Sequence, residues 1–207
     1  MKPRPFEYHR ATSVENAIEL LASCPDAKIL AGGQSLAALM NFRLSAPEAL
    51  IDINPIAELD YVRRDGPALR IGALTRHRTL ETMTGPAIDD GFAVLRSAAR
   101  WIGHYPIRTR GTFGGSLAHA DPSAEWCVIA RLLDAIIVVQ GPGGRREIPA
   151  AQWFAGFLTT TLAPDEVLVE VVLPRPRRLA ALAEHAHRRG DFGLVIATTA
   201  LEINDGR

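Results

Sequence analysis

Cysteine is scarce in this chain of 207 residues, which contains only Cys24 and Cys127. No Cys-x-x-Cys pair and no group of cysteines with histidines occurs. The sequence therefore has no ligand set of its own for an iron–sulfur cluster or a structural zinc ion. Both thiols lie in or just after apolar runs, where a buried and unreactive cysteine is the usual finding. We expect no metal site in this chain.

A net charge is also lacking, because 23 lysines and arginines match 23 aspartates and glutamates. This balance excludes an overall field that would attract nucleic acid or acidic lipid. No apolar run approaches the length of a membrane span, and the first ten residues, MKPRPFEYHR, lack the apolar core of a signal peptide. We therefore expect a soluble cytoplasmic protein that binds neither nucleic acid nor membrane.

Apolar residues make up 47% of the chain, which is enough for a sizeable core. Thr12 and Glu15 fit a capping box before a helix that Pro25 ends. A helix is also predicted from an Asp121 cap and Pro122 onward. Strands are predicted on both sides of Asp65-Gly66 and over residues 28–31, 49–53, 135–140, 166–174 and 194–203. Because strands and helices mix without one long βαβ series, the pattern indicates an α+β fold.

Three units follow from this pattern. Residues 1–55 form the first and residues 56–175 the second, and the proline- and arginine-rich stretch at 174–178 is typical of a stiff connector. Residues 176–207 then begin a third unit. Its last strand leads to Asn204-Asp205-Gly206, a hairpin turn signal, so that strand would have an unpaired apolar edge. We expect residues 176–207 to be the start of an incomplete C-terminal α+β domain.

Two stretches share a glycine pair that is followed by Ser-Leu-Ala. Residues 28–39 read KILAGGQSLAAL, and residues 108–126 read RTRGTFGGSLAHADPSAEW. Glycine tolerates positive φ and has no Cβ, so successive backbone N–H groups can converge on an anion. The hydroxyls of Ser35, Thr112 and Ser116 add donors beside them. The matched pair therefore indicates a cofactor that carries a diphosphate.

A structural explanation of the same residues stays open at this point. Neither stretch is a Gly-x-Gly-x-x-Gly fingerprint or a P-loop, and a single Gly-Gly between a strand and a helix is most often a turn. His104 and His119 also fit ordinary hydrogen-bonded histidines. From the residues alone, a nucleotide cofactor and a pair of structural turns are both tenable, and the cofactor has no name.

A resemblance to a known family goes further. The stretches LAGGQSLAALMNFRLSAPEALIDIN, IGALTRH, IGHYPIRTRGTFGGSLAHADPSAEW and TTLAPDEVLVEVVLP resemble, in this order, the FAD-binding medium subunit of molybdenum hydroxylases. That family includes the medium chain of carbon monoxide dehydrogenase and the flavin subunit of bacterial xanthine dehydrogenases. The resemblance implies a vanillyl-alcohol-oxidase-type FAD-binding fold of two subdomains with a C-terminal domain behind them.

The resemblance also implies FAD-binding residues. One side of the diphosphate would be lined by the first glycine segment, residues 31–36, which is Ala31, Gly32, Gly33, Gln34, Ser35 and Leu36. Ile29 and Leu30, just before it, are also expected to bind the cofactor. The other side would be lined by Thr112, Gly114, Gly115 and Ser116. The adenosine and ribityl portions would lie near His119, Asp121 and Glu125, and the flavin would lie among Ile102, Ile107, Gly111 and Leu162. Arg188, Asp191 and Phe192 would approach the isoalloxazine, and no residue is expected to act as a catalytic base or nucleophile.

The function implied by the resemblance is that of an electron-transfer subunit. A large partner subunit would carry the molybdenum cofactor, and a small partner with two iron–sulfur clusters would pass electrons to FAD. FAD would then reduce a quinone, NAD⁺ or oxygen. Two other functions stay open: a flavin-free scaffold that binds the partner subunits, and a free-standing flavin oxidoreductase of the same fold.

Overall fold

The computed structural model describes residues 1–202 and contains short helices around separate sheets. The helices are α1 (Val14–Ser23), α2 (Leu36–Asn41), α3 (His77–Thr82), α4 (Pro86–Asp89), α5 (Ala93–Ala99), α6 (Tyr105–Arg110), α7 (Phe113–His119), α8 (Glu125–Leu132) and α9 (Ala150–Trp153). The strands are β1 (Glu7–Arg10), β2 (Ala27–Leu30), β3 (Ala49–Asp52), β4 (Val62–Asp65), β5 (Ala68–Gly72), β6 (Ile136–Gly141), β7 (Gly144–Pro149), β8 (Phe154–Gly156), β9 (Thr159–Thr160), β10 (Val167–Leu173), β11 (Leu179–His185) and β12 (Val195–Leu201).

The N-terminal part forms a parallel sheet with strand order β1-β3-β2. The middle strand, β3, is buried at all four positions. Helix α1 buries Val14, Ala17, Ile18 and Leu21, the positions that helical spacing predicts for a core-facing stripe. The predicted capping box is wrong, because Ser13 caps this helix by accepting a hydrogen bond from the Asn16 N–H at 3.1 Å.

A second, antiparallel sheet has the order β4-β5-β10-β6-β7. Its central strand, β10, is buried at all seven positions because apolar residues cover both of its faces. Val167, Val169 and Val172 pack in the core that contains α1, whereas Leu168, Val171 and Leu173 pack in the core that contains α5, α7 and α8. The sheet therefore separates two apolar cores, which explains why the sequence of β10 is almost continuously apolar.

The helix predicted to begin at Pro122 begins later, at Glu125, with Ala124 as its cap residue. Asp121 instead closes the preceding turn: its Oδ1 accepts from the Ser123 N–H at 2.8 Å, and its carbonyl accepts from the Ala124 N–H at 2.9 Å. The prediction that Asp121 caps the helix is therefore wrong, because its side chain satisfies a turn that precedes the helix.

The C-terminal part is a hairpin in which β11 and β12 pair antiparallel over their full length, from Leu179 opposite Leu201 to His185 opposite Val195. The last predicted strand, β12, thus pairs with β11 on one edge. The predicted unpaired edge is its other edge, and it stays a prediction. The predicted turn at residues 204–206 lies outside the described residues.

The mixture of helices and sheets confirms the α+β class. Within residues 1–202, no helix is both long and apolar enough to cross a bilayer. Over the same residues, no group of three or more histidine, cysteine, aspartate or glutamate side chains is arranged to hold a metal ion. The division at residues 55 and 175 stays a prediction.

Candidate functional site

The first glycine segment, residues 31–36, connects β2 to α2 and leaves a run of backbone donors unused. The N–H groups of residues 33–36 make no hydrogen bond to any residue in the described part of the chain. Gly33 has a φ of +70°, a conformation that glycine adopts without strain. The Gln34 amide folds back and donates to the Gly32 carbonyl at 3.0 Å. Successive free N–H groups of this kind suit an anionic ligand.

The second glycine segment, residues 110–116, differs from the prediction, because Gly114 and Gly115 lie in the first turn of α7 rather than in a loop. The Thr112 hydroxyl caps this helix and accepts from the Gly115 N–H at 3.1 Å. The Gly114 N–H donates to the Ala73 carbonyl at 3.0 Å. These donors are therefore engaged within the protein. The Ser116 hydroxyl has no hydrogen-bond partner among the described residues.

The two glycine segments touch each other through their backbones. A methyl group added at Gly32 would lie 2.7 Å from the Gly111 Cα and would overlap the Arg110 carbonyl. A methyl group added at Gly115 would lie 3.8 Å from the Ala31 Cβ. The structure thus brings together stretches that are about eighty residues apart in sequence, and glycine is required at residue 32 because no Cβ fits there.

Behind Gly111 lies a buried histidine that the sequence analysis did not single out. The His77 Nδ1 accepts from the Trp126 indole N–H at 2.9 Å, and the backbone N–H of His77 donates to the Gly111 carbonyl at 3.1 Å. Burial, together with the nearby Arg76 and Arg108 guanidinium groups, lowers the pKa of His77 to about 3. The ring is therefore neutral at physiological pH and carries its proton on Nε2, since Nδ1 is an acceptor.

The residues predicted to approach the adenosine and ribityl portions, His119, Asp121 and Glu125, lie between the end of α7 and the start of α8. Glu125 is buried, and burial followed by the nearby Glu184 and Asp121 carboxylates raises its pKa to about 7. Burial also raises the pKa of Glu184. Asp121 and His119 are half-buried. Glu125 thus lies close enough to two other carboxylates, Asp121 and Glu184 of β11, for both to raise its pKa.

Some of the residues predicted around the flavin lie in or against the apolar core, and others are half-buried or exposed. Ile102 is in the core with α5 and α8, and Leu162 packs against that core. The turn that carries Arg188 and Asp191 reaches His104, because a methyl group added at Gly190 would lie 2.5 Å from the His104 ring nitrogen Nδ1. The remaining predicted residues show contrasting exposure: Ile107 is half-buried and Phe192 is 72% exposed.

A family model described as the FAD binding domain in molybdopterin dehydrogenase matches residues 4–176, which include both glycine segments. The chain belongs to this family. Its cofactor is therefore FAD, and it is an oxidoreductase chain of the molybdopterin dehydrogenase type. The match ends before Arg188, so the turn at residues 188–192 lies outside it.

Curated relatives and solved structures agree with the family. The chain is 43% identical to the 6-hydroxypseudooxynicotine dehydrogenase complex subunit alpha of Paenarthrobacter nicotinovorans, over 99% of this chain and 70% of that one. It is 41% identical to the carbon monoxide dehydrogenase medium chain of Hydrogenophaga pseudoflava, over 84% and 60% of the two chains. A quinoline 2-oxidoreductase structure from Pseudomonas putida 86 superposes with a TM-score of 0.94 at 36% identity, covering 100% of this chain and 72% of that one.

The donor set of the first segment fits the diphosphate of FAD. Its free backbone N–H groups are hydrogen-bond donors only, and the Arg76 guanidinium is joined to the segment through Asn54, whose amide oxygen accepts from it at 2.7 Å. An anionic diphosphate can satisfy such donors, whereas a neutral or cationic group would satisfy them less well. This member of the FAD-binding family therefore has a site of suitable chemistry at its first glycine segment.

Asn54, Arg76 and His77 are the site residues that sequence reasoning missed. They lie at the ends of two quoted stretches, since the stretch of residues 30–54 ends at Asn54 and IGALTRH ends at Arg76-His77. Their roles depend on contacts with residues 22 to 49 positions away. The signal available in the sequence was only that hydrogen-bonding side chains follow buried strands.

Proposed function

We propose that this chain is the electron-transfer subunit of a molybdenum hydroxylase complex and binds FAD between its two glycine segments. In this proposal, a small subunit with two iron–sulfur clusters delivers electrons that originate at a large molybdenum subunit. An external acceptor, which is a quinone, NAD⁺ or oxygen, receives them. The names of the relatives support this assignment, since they include a dehydrogenase complex subunit and carbon monoxide dehydrogenase medium chains.

The backbone contact between Gly32 and residues 110–111 is the observation that carries the proposal. The first glycine segment, which has the free N–H groups of residues 33–36, thereby contacts the residues just before α7, and the Ser116 hydroxyl of α7 has no partner among the described residues. A diphosphate bound there would accept from the backbone of one segment and from a hydroxyl of the other. Residues far apart in sequence would then hold one ligand in a fixed orientation.

The residues around this site bind and position the cofactor and need not transfer a proton. FAD supplies the redox chemistry when it is bound. Because the pKa of His77 is about 3, its ring adds no positive charge to the wall behind Gly111 and does not act as a base near neutral pH. The Cys127 thiol is similarly unsuited to act as a nucleophile, since burial raises its pKa to about 12.

The test of FAD binding is the identity and attachment of the flavin in the purified protein. We expect about one FAD per chain, released intact by acid or heat, because backbone donors hold the diphosphate without a covalent bond. Chromatography of the supernatant identifies the released flavin. Release of FMN, flavin that stays attached after denaturation, or a protein that binds no added FAD would contradict the proposal; the last result would favour a flavin-free scaffold.

The test of the complex is co-purification. A tagged form of this chain, expressed with the genes beside its own, should bring down stoichiometric molybdenum and iron, and the substrate of the complex should bleach the flavin absorbance. A chain that binds FAD but purifies alone, and whose flavin is reduced directly by a small-molecule donor, would instead be a free-standing flavin oxidoreductase.

A further inference from the structure

A chain of polar side chains runs from the parallel sheet to both glycine segments. The Tyr8 hydroxyl donates to Asp52, whose Oδ1 accepts from the Asn54 backbone N–H at 2.9 Å and from the Asn54 amide at 2.6 Å. The amide oxygen of Asn54 accepts from the Arg76 Nη2 at 2.7 Å. Although burial alone would raise it, the hydrogen bonds from Tyr8 and Asn54 lower the pKa of Asp52, which keeps this acceptor ionised.

These hydrogen-bonded side chains hold each glycine segment at one backbone carbonyl. The Asn54 Nδ2 donates to the Ala31 carbonyl at 2.8 Å, immediately before Gly32. The Arg76 Nη1 donates to the Arg110 carbonyl, immediately before Gly111. These are the same peptide groups at which the two segments touch. The Asn54–Arg76 hydrogen bond therefore links the two segments through side chains at the point where their backbones are in contact.

The direction of these hydrogen bonds matters for an anionic ligand. The C=O and N–H of a trans peptide group point in opposite directions, so holding the Ala31 carbonyl toward Asn54 turns the Gly32 N–H away from Asn54. A carbonyl oxygen that was free to rotate toward a diphosphate would repel it. Occupying the Ala31 and Arg110 carbonyls with donors prevents this rotation at both segments.

We propose that Asn54 and Arg76 are positioning residues that hold the two glycine segments in the arrangement required by the FAD diphosphate. The proposal rests on the proposed function, because it concerns the same ligand. Neither residue belongs to an apolar core: Asn54 is exposed and Arg76 is half-buried. Replacing them therefore leaves the packing of the fold in place and changes the geometry of the segments.

The side-chain chemistry explains why this pair suits the role. Asparagine supplies two donors and an acceptor on one planar group, and it uses the donors on Ala31 and Asp52 and the acceptor on Arg76. The planar guanidinium supplies two parallel donors, which it uses on Asn54 and Arg110. A lysine at residue 76 has one compact ammonium group and cannot reproduce both bonds in this fork geometry.

The experiment measures the Kd for FAD and the melting temperature of FAD-free protein for Asn54→Ala, Arg76→Lys, Arg76→Gln and the double variant Asn54→Ala/Arg76→Gln. The matched control is Arg70→Gln. Arg70 also forms two side-chain contacts, with Asp65 at 2.7 Å and with Glu170 at 2.8 Å, but these contacts join sheet residues away from the glycine segments.

We expect Asn54→Ala and Arg76→Gln each to raise the Kd for FAD about 10- to 100-fold, the usual range for losing a charge-assisted hydrogen bond. Arg76→Lys should rescue only part of this loss. Because both residues act through the Asn54–Arg76 hydrogen bond, the Kd of the double variant should be little higher than that of the single variant that binds FAD more weakly. Arg70→Gln should lower the melting temperature of FAD-free protein and leave the Kd unchanged.

Two results would overturn the inference. In one, wild-type protein binds FAD and both single variants bind it equally well. In the other, Arg70→Gln raises the Kd as much as Arg76→Gln does, which would mean that lost stability alone explains the effect. A wild-type protein that binds no FAD would overturn the proposed function and, with it, this inference.

Discussion

Gly32→Ala tests the backbone contact between the two glycine segments most directly. The added methyl group would lie 2.7 Å from the Gly111 Cα, where ordinary van der Waals contact begins at 3.4 Å. The segments must therefore separate by about 0.7 Å or more, because both partners are backbone atoms that cannot rotate away. A hydrogen bond of about 2.9 Å that opens by this amount is effectively lost.

The magnitude follows from how many ligand contacts the separation breaks. Losing two charge-assisted hydrogen bonds to the diphosphate, at roughly 1.5–3 kcal/mol each, corresponds to an increase of about 10²- to 10⁴-fold in the Kd for FAD. Overpacking should also destabilise the FAD-free protein by about 1–3 kcal/mol. The matched control is Gly143→Ala, where a methyl group meets nothing within 4 Å.

The assay is titration of folded, FAD-free protein, followed by quenching of flavin fluorescence, with circular dichroism to establish that the variant is folded. Gly143→Ala should bind FAD like wild type. If folded Gly32→Ala also binds FAD like wild type, the contact between the segments has no role in binding, and the location proposed for the diphosphate is wrong.

Two further predictions concern α7 and α8. Gly115→Val should weaken FAD binding and lower the melting temperature, because its Cβ would lie 2.6 Å from the capping Thr112 hydroxyl. Ser116→Ala removes only one hydroxyl and should raise the Kd for FAD less than about tenfold. Equal FAD affinity in Gly115→Val and wild type would contradict this. The pKa of Glu125 is raised from 4.5 to about 7 in the folded state, so the free energy of unfolding of wild type should fall as the pH rises from about 4.5 to 7, where the unfolded state ionises first. Glu125→Gln should remove this loss. The full effect is roughly 3 kcal/mol. If the melting temperature decreases equally in wild type and in Glu125→Gln between pH 5 and pH 8, Glu125 is not the cause.

The sequence predicted the core-facing residues and the two glycine segments because those signals are local. The four buried positions of α1 repeat at helical spacing, and β10 is apolar at every position except Glu170. The expectation that the two segments lie close together rested on their matched residues and on the family resemblance. The structure adds the direct backbone contact at Gly32, which no local pattern specifies.

The conformation of the second segment could not be predicted from propensity, because adjacent glycines disfavour a helix. Here tertiary contacts outweigh that preference: Gly114 packs against Ala73, where a methyl group would lie 2.7 Å from the Ala73 Cβ, and Thr112 caps the turn. The roles of Asn54 and Arg76 were missed for a related reason. Their hydrogen bonds join segments 22 to 34 residues apart, so the pairing is set by the fold and has no local pattern.

The position of β10 in the middle of the antiparallel sheet also has a consequence for folding during synthesis. Its neighbours, β5 and β6, end at Gly72 and Gly141, whereas β10 begins at Val167. During synthesis, both glycine segments therefore leave the ribosome before the strand that joins the two halves of the sheet and covers both cores. Pairing with β5 closes a loop of nearly a hundred residues, a long-range contact that slows folding. Until β10 docks, the newly made chain exposes the edges of β5 and β6, and unpaired strand edges of this kind favour aggregation.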